Sequence, residues 1–125
     1  MALDKASGEV VWGQPGTLAH APVVMEAGGA KHVFALGGER AVMADLLTGK
    51  ESWSEQVYSG PSSTMVQPLV VGGKVFVSDY GTGAMLDVGA GSVQEVWRVP
   101  EASTLLLGAW VFTGGWIYGS RSWGL

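Results

Sequence analysis

The chain has 125 residues, the length of one ordinary domain, and its 47% hydrophobic and 14% charged content excludes an extended disordered polymer. A net charge of −4 with only seven Lys and Arg residues leaves no basic footprint for a phosphate backbone or an anionic membrane surface, so no nucleic acid is expected as a partner. Cysteine and asparagine are both absent, which removes disulfides, thiolate metal sites, Cys nucleophiles and N-glycosylation together.

Twenty glycines against five prolines, with six tryptophans and strand-rich vocabulary, predict an all-β chain of many short strands joined by tight glycine turns. The opening MALDKASGEVVW has no apolar core behind a basic region and does not read as a signal peptide; in an exported protein that segment would lie upstream. Within this opening, residues 2 to 12 (ALDKASGEVVW) align with residues 43 to 53 (MADLLTGKESW) at one constant offset. Asp4 falls on Asp45, Ser7 on Thr48, Gly8 on Gly49 and Trp12 on Trp53. A third copy at residues 86 to 97 keeps Asp87 and Trp97 but has two more residues between them, so its turn is expected to be longer.

A second element alternates with the first, at residues 21 to 36, 67 to 79 and 109 to 120. In each copy an apolar run enters Gly-Gly and leaves as another apolar run, the pattern of a two-residue antiparallel hairpin. From Lys74 to Ser78 the alternation is clean, with Val75 and Val77 on one side and Phe76 on the other. The uncharged stretch from Ala102 to Ser120 is long enough to resemble a membrane span, but Gly114-Gly115 inside it favours a hairpin, and no span is expected.

The unit is therefore a hairpin, a strand ending near the Asp, an Asp/Thr/Gly turn and a strand ending at Trp. Four strands in about 40–45 residues is the length of one propeller blade. The expected division is the outer edge of a blade at 1–12, whole blades at 17–53 and 64–97, and the inner part of another at 104–125, a partial β-propeller of antiparallel four-stranded blades. Each Asp is expected to accept hydrogen bonds from amides two or three residues ahead, and each Trp to bury its ring between neighbouring blades.

The pattern Ala-x-Asp-x-x-(Ser/Thr)-Gly-x-x-x-Trp at 2–12, repeated with Met43 in place of Ala at 43–53, resembles the tryptophan-docking motif of pyrroloquinoline-quinone (PQQ)-like propellers. That family includes quinoprotein alcohol dehydrogenases and the propeller lipoprotein of bacterial outer-membrane assembly. The resemblance implies a propeller of seven or eight blades, mostly extracytoplasmic, girdled by docking residues, here Asp4, Gly8, Trp12, Asp45, Gly49, Trp53, Asp87 and Trp97. Seven blades of this length need roughly 300 residues. The partners implied are the remaining blades, from a longer chain or from another protein.

No catalytic, cofactor-binding or metal-ligating constellation emerges. Asp4, Asp45 and Asp87 recur at blade spacing, which suits turns rather than paired carboxylates, and His20 and His32 lack a third nearby ligand. Gly81-Thr-Gly83 and Gly89-Ala-Gly91 complete no phosphate-loop motif, and Ser59 to Ser63 contains no nucleophile elbow. Trp110, Trp116 and Trp123 suit core packing better than an aromatic platform. If recognition uses the face where the inner loops converge, the side chains placed there are His20, Arg40, Tyr58, Gln67, Asp79 and Tyr80. The reading is a non-catalytic scaffold or protein-interaction module with no cofactor. The alternative is a fragment of a PQQ-dependent alcohol or sugar dehydrogenase, which would bring PQQ and calcium, commonly held by carboxylates and an Asn that this stretch lacks.

Overall fold

The computed structural model describes residues 1–14, 20–37, 39–57, 66–79, 82–100 and 109–119, and every regular element among them is a strand. A first antiparallel pair joins β1 (Ala2–Leu3) to β2 (Val10–Trp12). Four strands follow in simple meander order: β3 (Val23–Ala27), β4 (Ala30–Gly37), β5 (Arg40–Asp45) and β6 (Glu51–Gln56). A second meander contains β7 (Leu69–Val71), β8 (Lys74–Asp79), β9 (Thr82–Val88) and β10 (Val93–Pro100). A last pair joins β11 (Val111–Thr113) to β12 (Trp116–Tyr118), so the centre of the uncharged C-terminal stretch is a hairpin. Among the described residues no helix is long and apolar enough to cross a membrane.

The three inner hairpins turn on Gly28-Gly29, Gly72-Gly73 and Gly114-Gly115, each with both φ angles positive. That pair of conformations matches the right-handed twist of the flanking strands and is open to glycine at almost no steric cost. Because the turn is the same each time, the register beyond it is the same. Val23 lies opposite Phe34, Phe34 opposite Met43 and Met43 opposite Trp53. In the second blade the same row reads Leu69, Phe76, Met85, Trp97. The two end pairs each hold half of such a row, Val111 opposite Tyr118 and Ala2 opposite Trp12.

Strand alternation then decides what each sheet offers its neighbour. Phe34, Leu36, Ala41, Met43 and Trp53 of the first blade pack in one cluster with Val75, Val77, Ala84, Leu86 and Val88 of the second. Phe34, Leu36, Met43 and Val75 are wholly enclosed, and each such side chain stabilises the contact by about 1.5–3 kcal/mol relative to exposure. Phe76 points to the opposite side of its sheet, where its ring meets those of Trp97 at 5.8 Å and Trp110 at 5.0 Å. The core is thus not inside any one blade but in the seam between two, as stacked sheets require.

Candidate functional site

The repeated residues converge on the seams. In the first turn the Asp4 carboxylate accepts hydrogen bonds from the amides of Ala6 and Ser7, both at 2.8 Å, and from the Ser7 hydroxyl at 3.1 Å. The second turn repeats this: Asp45 accepts from the Leu47 amide at 3.1 Å, the Thr48 amide at 2.7 Å and the Thr48 hydroxyl at 2.8 Å. Each hydroxyl in turn accepts from the amide two residues on, Glu9 or Lys50. Three donors aimed at one carboxylate favour its charged form. The Ser7 and Ala6 amides, with the Ser7 hydroxyl, hold Asp4 below the ordinary carboxylate range, and the Thr48 hydroxyl and amide do the same for Asp45.

The second and third turns each receive the indole of the preceding unit. The Trp12 Nε1–H donates to the Leu46 carbonyl at 3.1 Å, while its ring lies flat against Gly49. A Cβ on Gly49 would stand 2.5 Å from two carbons of that ring, so the close approach requires glycine as much as the φ of +70° does. The Trp53 Nε1–H donates to the Gly89 carbonyl of the second blade at 3.1 Å, and its ring meets Phe34 edge-on at 6.3 Å. Burial of a large ring with its one donor satisfied makes Trp well suited to this seam.

The third copy differs. Two extra residues let β9 and β10 continue one rung past the Asp position, so Asp87 lies opposite Gln94 and Val88 opposite Val93. The turn moves on to Gly89 through Ser92, closed by a 2.9 Å bond from the Gly89 amide to the Ser92 carbonyl. Asp87 no longer flanks the turn; its carboxylate pairs instead with Lys74 at 2.8 Å on the neighbouring strand. Trp97 stays against Phe76 but is 40% exposed.

Of the six side chains assigned to a recognition face, His20 needs correction. It is only 4% exposed, and its Nδ1 lies 2.9 Å from the Val66 carbonyl, so it packs where the first and second blades begin rather than facing a partner. Arg40 is exposed, its guanidinium donating to the Ser54 hydroxyl at 2.7 Å and the Ser54 carbonyl at 2.5 Å. Exposed Gln67 donates to the Pro22 carbonyl at 3.4 Å, linking the approaches to β7 and β3. Tyr58 and Tyr80 lie outside the described residues, as does the side chain of Asp79. Arg40 and the first residue of β9, Thr82, stand at the same end of their sheets, opposite the Gly-Gly turns.

Three seam contacts carry no repeat signal and escape a reading of the sequence. Gln14 donates its side-chain amide to the Gly49 carbonyl beside the Trp12 ring. Arg98 reaches across the seam to the Val57 carbonyl at 2.9 Å while holding Glu95 at 2.6 Å. Trp110 points backward, donating to the Ser78 hydroxyl at 2.9 Å, with its ring stacked against Gly119. Beside Arg98 a cleft of about 660 Å³ opens between the outer strands of the two blades, lined by Glu55, Gln56, Thr82 and Glu95. Among the described residues no group of three or more His, Asp or Glu side chains is placed to hold a metal ion.

Gly8 and Gly49 share the same turn and nearly the same φ, +76° and +70°, but only Gly49 has an indole against it. Replacing either by Ala adds the backbone cost of roughly 1–2 kcal/mol. Gly49→Ala also displaces the ring, and urea denaturation is expected to show the larger loss for Gly49→Ala than for Gly8→Ala. Equal losses would mean that the ring contact contributes nothing. The Asp45 turn contributes stability above the ordinary carboxylate pKa of 3.8, and loses it as pH falls through the lower folded value. Acid titration followed by circular dichroism is therefore expected to show a stability loss below about pH 3.8 that is smaller in Asp45→Ala.

Comparison with curated proteins finds no match. Comparison with protein families finds one over residues 1–124, the family described as outer membrane protein assembly factor BamB. With four-stranded antiparallel sheets, repeated rows ending in Trp and a match along nearly its whole length, the chain belongs to this PQQ-like propeller repeat family.

Proposed function

We propose that the chain is a non-catalytic propeller segment that serves as a scaffold for protein contact, in the assembly of outer membrane proteins that the family description names. The observation that supports this most is where the repeated polar chemistry goes. Asp4 and Asp45 are occupied in closing turns, and Trp12 and Trp53 in binding those turns or their counterpart to the blade before. What such an arrangement supplies is a rigid stack of sheets whose ends and edges are presented in fixed relation. Proteins use surfaces of this kind for recognition.

The contact surface on this reading is the end of the sheets that carries Arg40, Gln67 and the start of β9. Its setting would be extracytoplasmic, and the remaining blades would come from a longer chain or another protein. The same family resemblance also includes PQQ-dependent dehydrogenases, so the two roles are separated by the cofactor. Titration of the protein with PQQ and calcium, followed by absorbance and calorimetry, is expected to give no saturable binding and no alcohol- or sugar-dependent dye reduction. Saturable binding accompanied by dye reduction would replace the scaffold reading with the enzymatic one.

A further inference from the structure

The outer strands of the two complete blades occupy the same place but are finished differently. Among the described residues β6 has only β5 beside it in its sheet and β10 only β9, so each presents one backbone edge with no strand against it. On β6 that edge is blunted: the Arg40 guanidinium donates to the Ser54 carbonyl, and Ser52 and Glu55 are exposed and polar. At the positions of Ser52 and Glu55, β10 carries Val96 and Val99, 49% and 44% exposed. It is also longer, eight residues against six. Charged and polar side chains are what ordinarily keep sheet edges apart, and β10 has apolar ones where β6 has them. From this contrast we infer that β10 pairs antiparallel with β10 of a second copy of the chain, joining their blades edge to edge.

The irregularity of the strand selects its own copy as the partner. Glu95 lies opposite Leu86 and Trp97 opposite Met85, with Val96 as the extra residue of a bulge. Glu95 and Arg98 therefore share the face of Leu86 and Ala84, and their side chains meet at 2.6 Å. In an unbulged strand a spacing of three would put them on opposite faces. A regular strand laid along this edge falls out of step at Val96, whereas a second β10 carries the same extra residue and stays in step. With the two-fold axis at Trp97, Glu95 falls opposite Arg98 of the second copy, Gln94 opposite Val99 and Val93 opposite Pro100. Opposed residues then share a face at every rung, and the four charges alternate in sign across the two strands. The same operation on β6 sets Glu51 opposite Ser54, whose carbonyl Arg40 already holds.

There is room for the second set of charges. The cleft of about 660 Å³ opens on the face of β10 that carries Glu95 and Arg98, which line it. Arg98 keeps its bond to the Val57 carbonyl, since a guanidinium has five donors and the added contact is to a carboxylate. The edge is the outside of a blade, away from the seams, so blades packed before or after these leave it open.

This inference rests on the blade architecture and not on the scaffold role, so cofactor binding leaves it unaffected. Sedimentation equilibrium is expected to show a mass that rises with concentration from the 13.0 kDa of one chain toward twice that value. Arg98→Glu sets like charges opposite each other on both sides of the axis and is expected to weaken the dimer by roughly tenfold or more. Combining it with Glu95→Arg restores the alternation, and the dimer with it. The chain has no cysteine, so Gln94→Cys together with Val99→Cys gives a second readout that leaves these charges in place. The two positions are about 15 Å apart along one strand, too far to bridge within a chain. Oxidation is expected to give a disulfide-linked dimer from the paired substitution and from neither alone. A mass of one chain at every concentration, or paired cysteines that do not link two chains, would overturn the inference.

Discussion

The fold depends on an indole crossing from one sheet to the next. Trp53 leaves the end strand of the first blade, fills the seam beside Phe34 and gives its only polar hydrogen to the Gly89 carbonyl of the second. A four-stranded meander of this size is two-sided and thin, and cannot enclose its own apolar residues. It becomes stable when its face is covered, and here the covering is done by an identical architecture one repeat further on. Hydrophobic burial supplies the energy of that contact, while the indole hydrogen bond sets its register.

This arrangement explains the division of labour along the chain. The Gly-Gly turns set the inner hairpins, the hairpins set the rows, and the rows deliver Trp to the place where the following turn offers a carbonyl. The Asp-centred turn is shaped by its own carboxylate, so it presents that carbonyl without help from the neighbouring blade. Glycine at position 49 then leaves a flat floor on which the Trp12 ring rests. Each device is weak alone, and each presents the next in a usable geometry.

What could be read from the residues follows from how local the physics is. The Asp-Ser/Thr-Gly turns involve partners within five residues, and the hairpins need only Gly-Gly between apolar runs, so spacing alone carries both. The blade architecture followed because one offset recurs. The acceptors of the indoles were not legible, since Leu46 and Gly89 are more than thirty residues beyond their tryptophans and are chosen by backbone position rather than side chain. The same distance hid the burial of His20 under Val66, the reach of Arg98 to Val57 and the backward turn of Trp110 to Ser78. Asp87 aligns with the two turn aspartates but does not close a turn as they do, because two inserted residues lengthen a ladder and move its turn away from the carboxylate.

The seam account is tested most directly by amide hydrogen exchange in Trp53→Ala. Removing the ring leaves the sequence of the second blade untouched, yet it opens the cavity against which Leu86 and Val88 pack. If the seam couples the sheets, protection falls in β9 as well as in β5 and β6, consistent with a buried-aromatic truncation worth roughly 3–5 kcal/mol. Loss of protection confined to β5 and β6, with β9 unchanged, would show that each blade is stable by itself and would contradict the account.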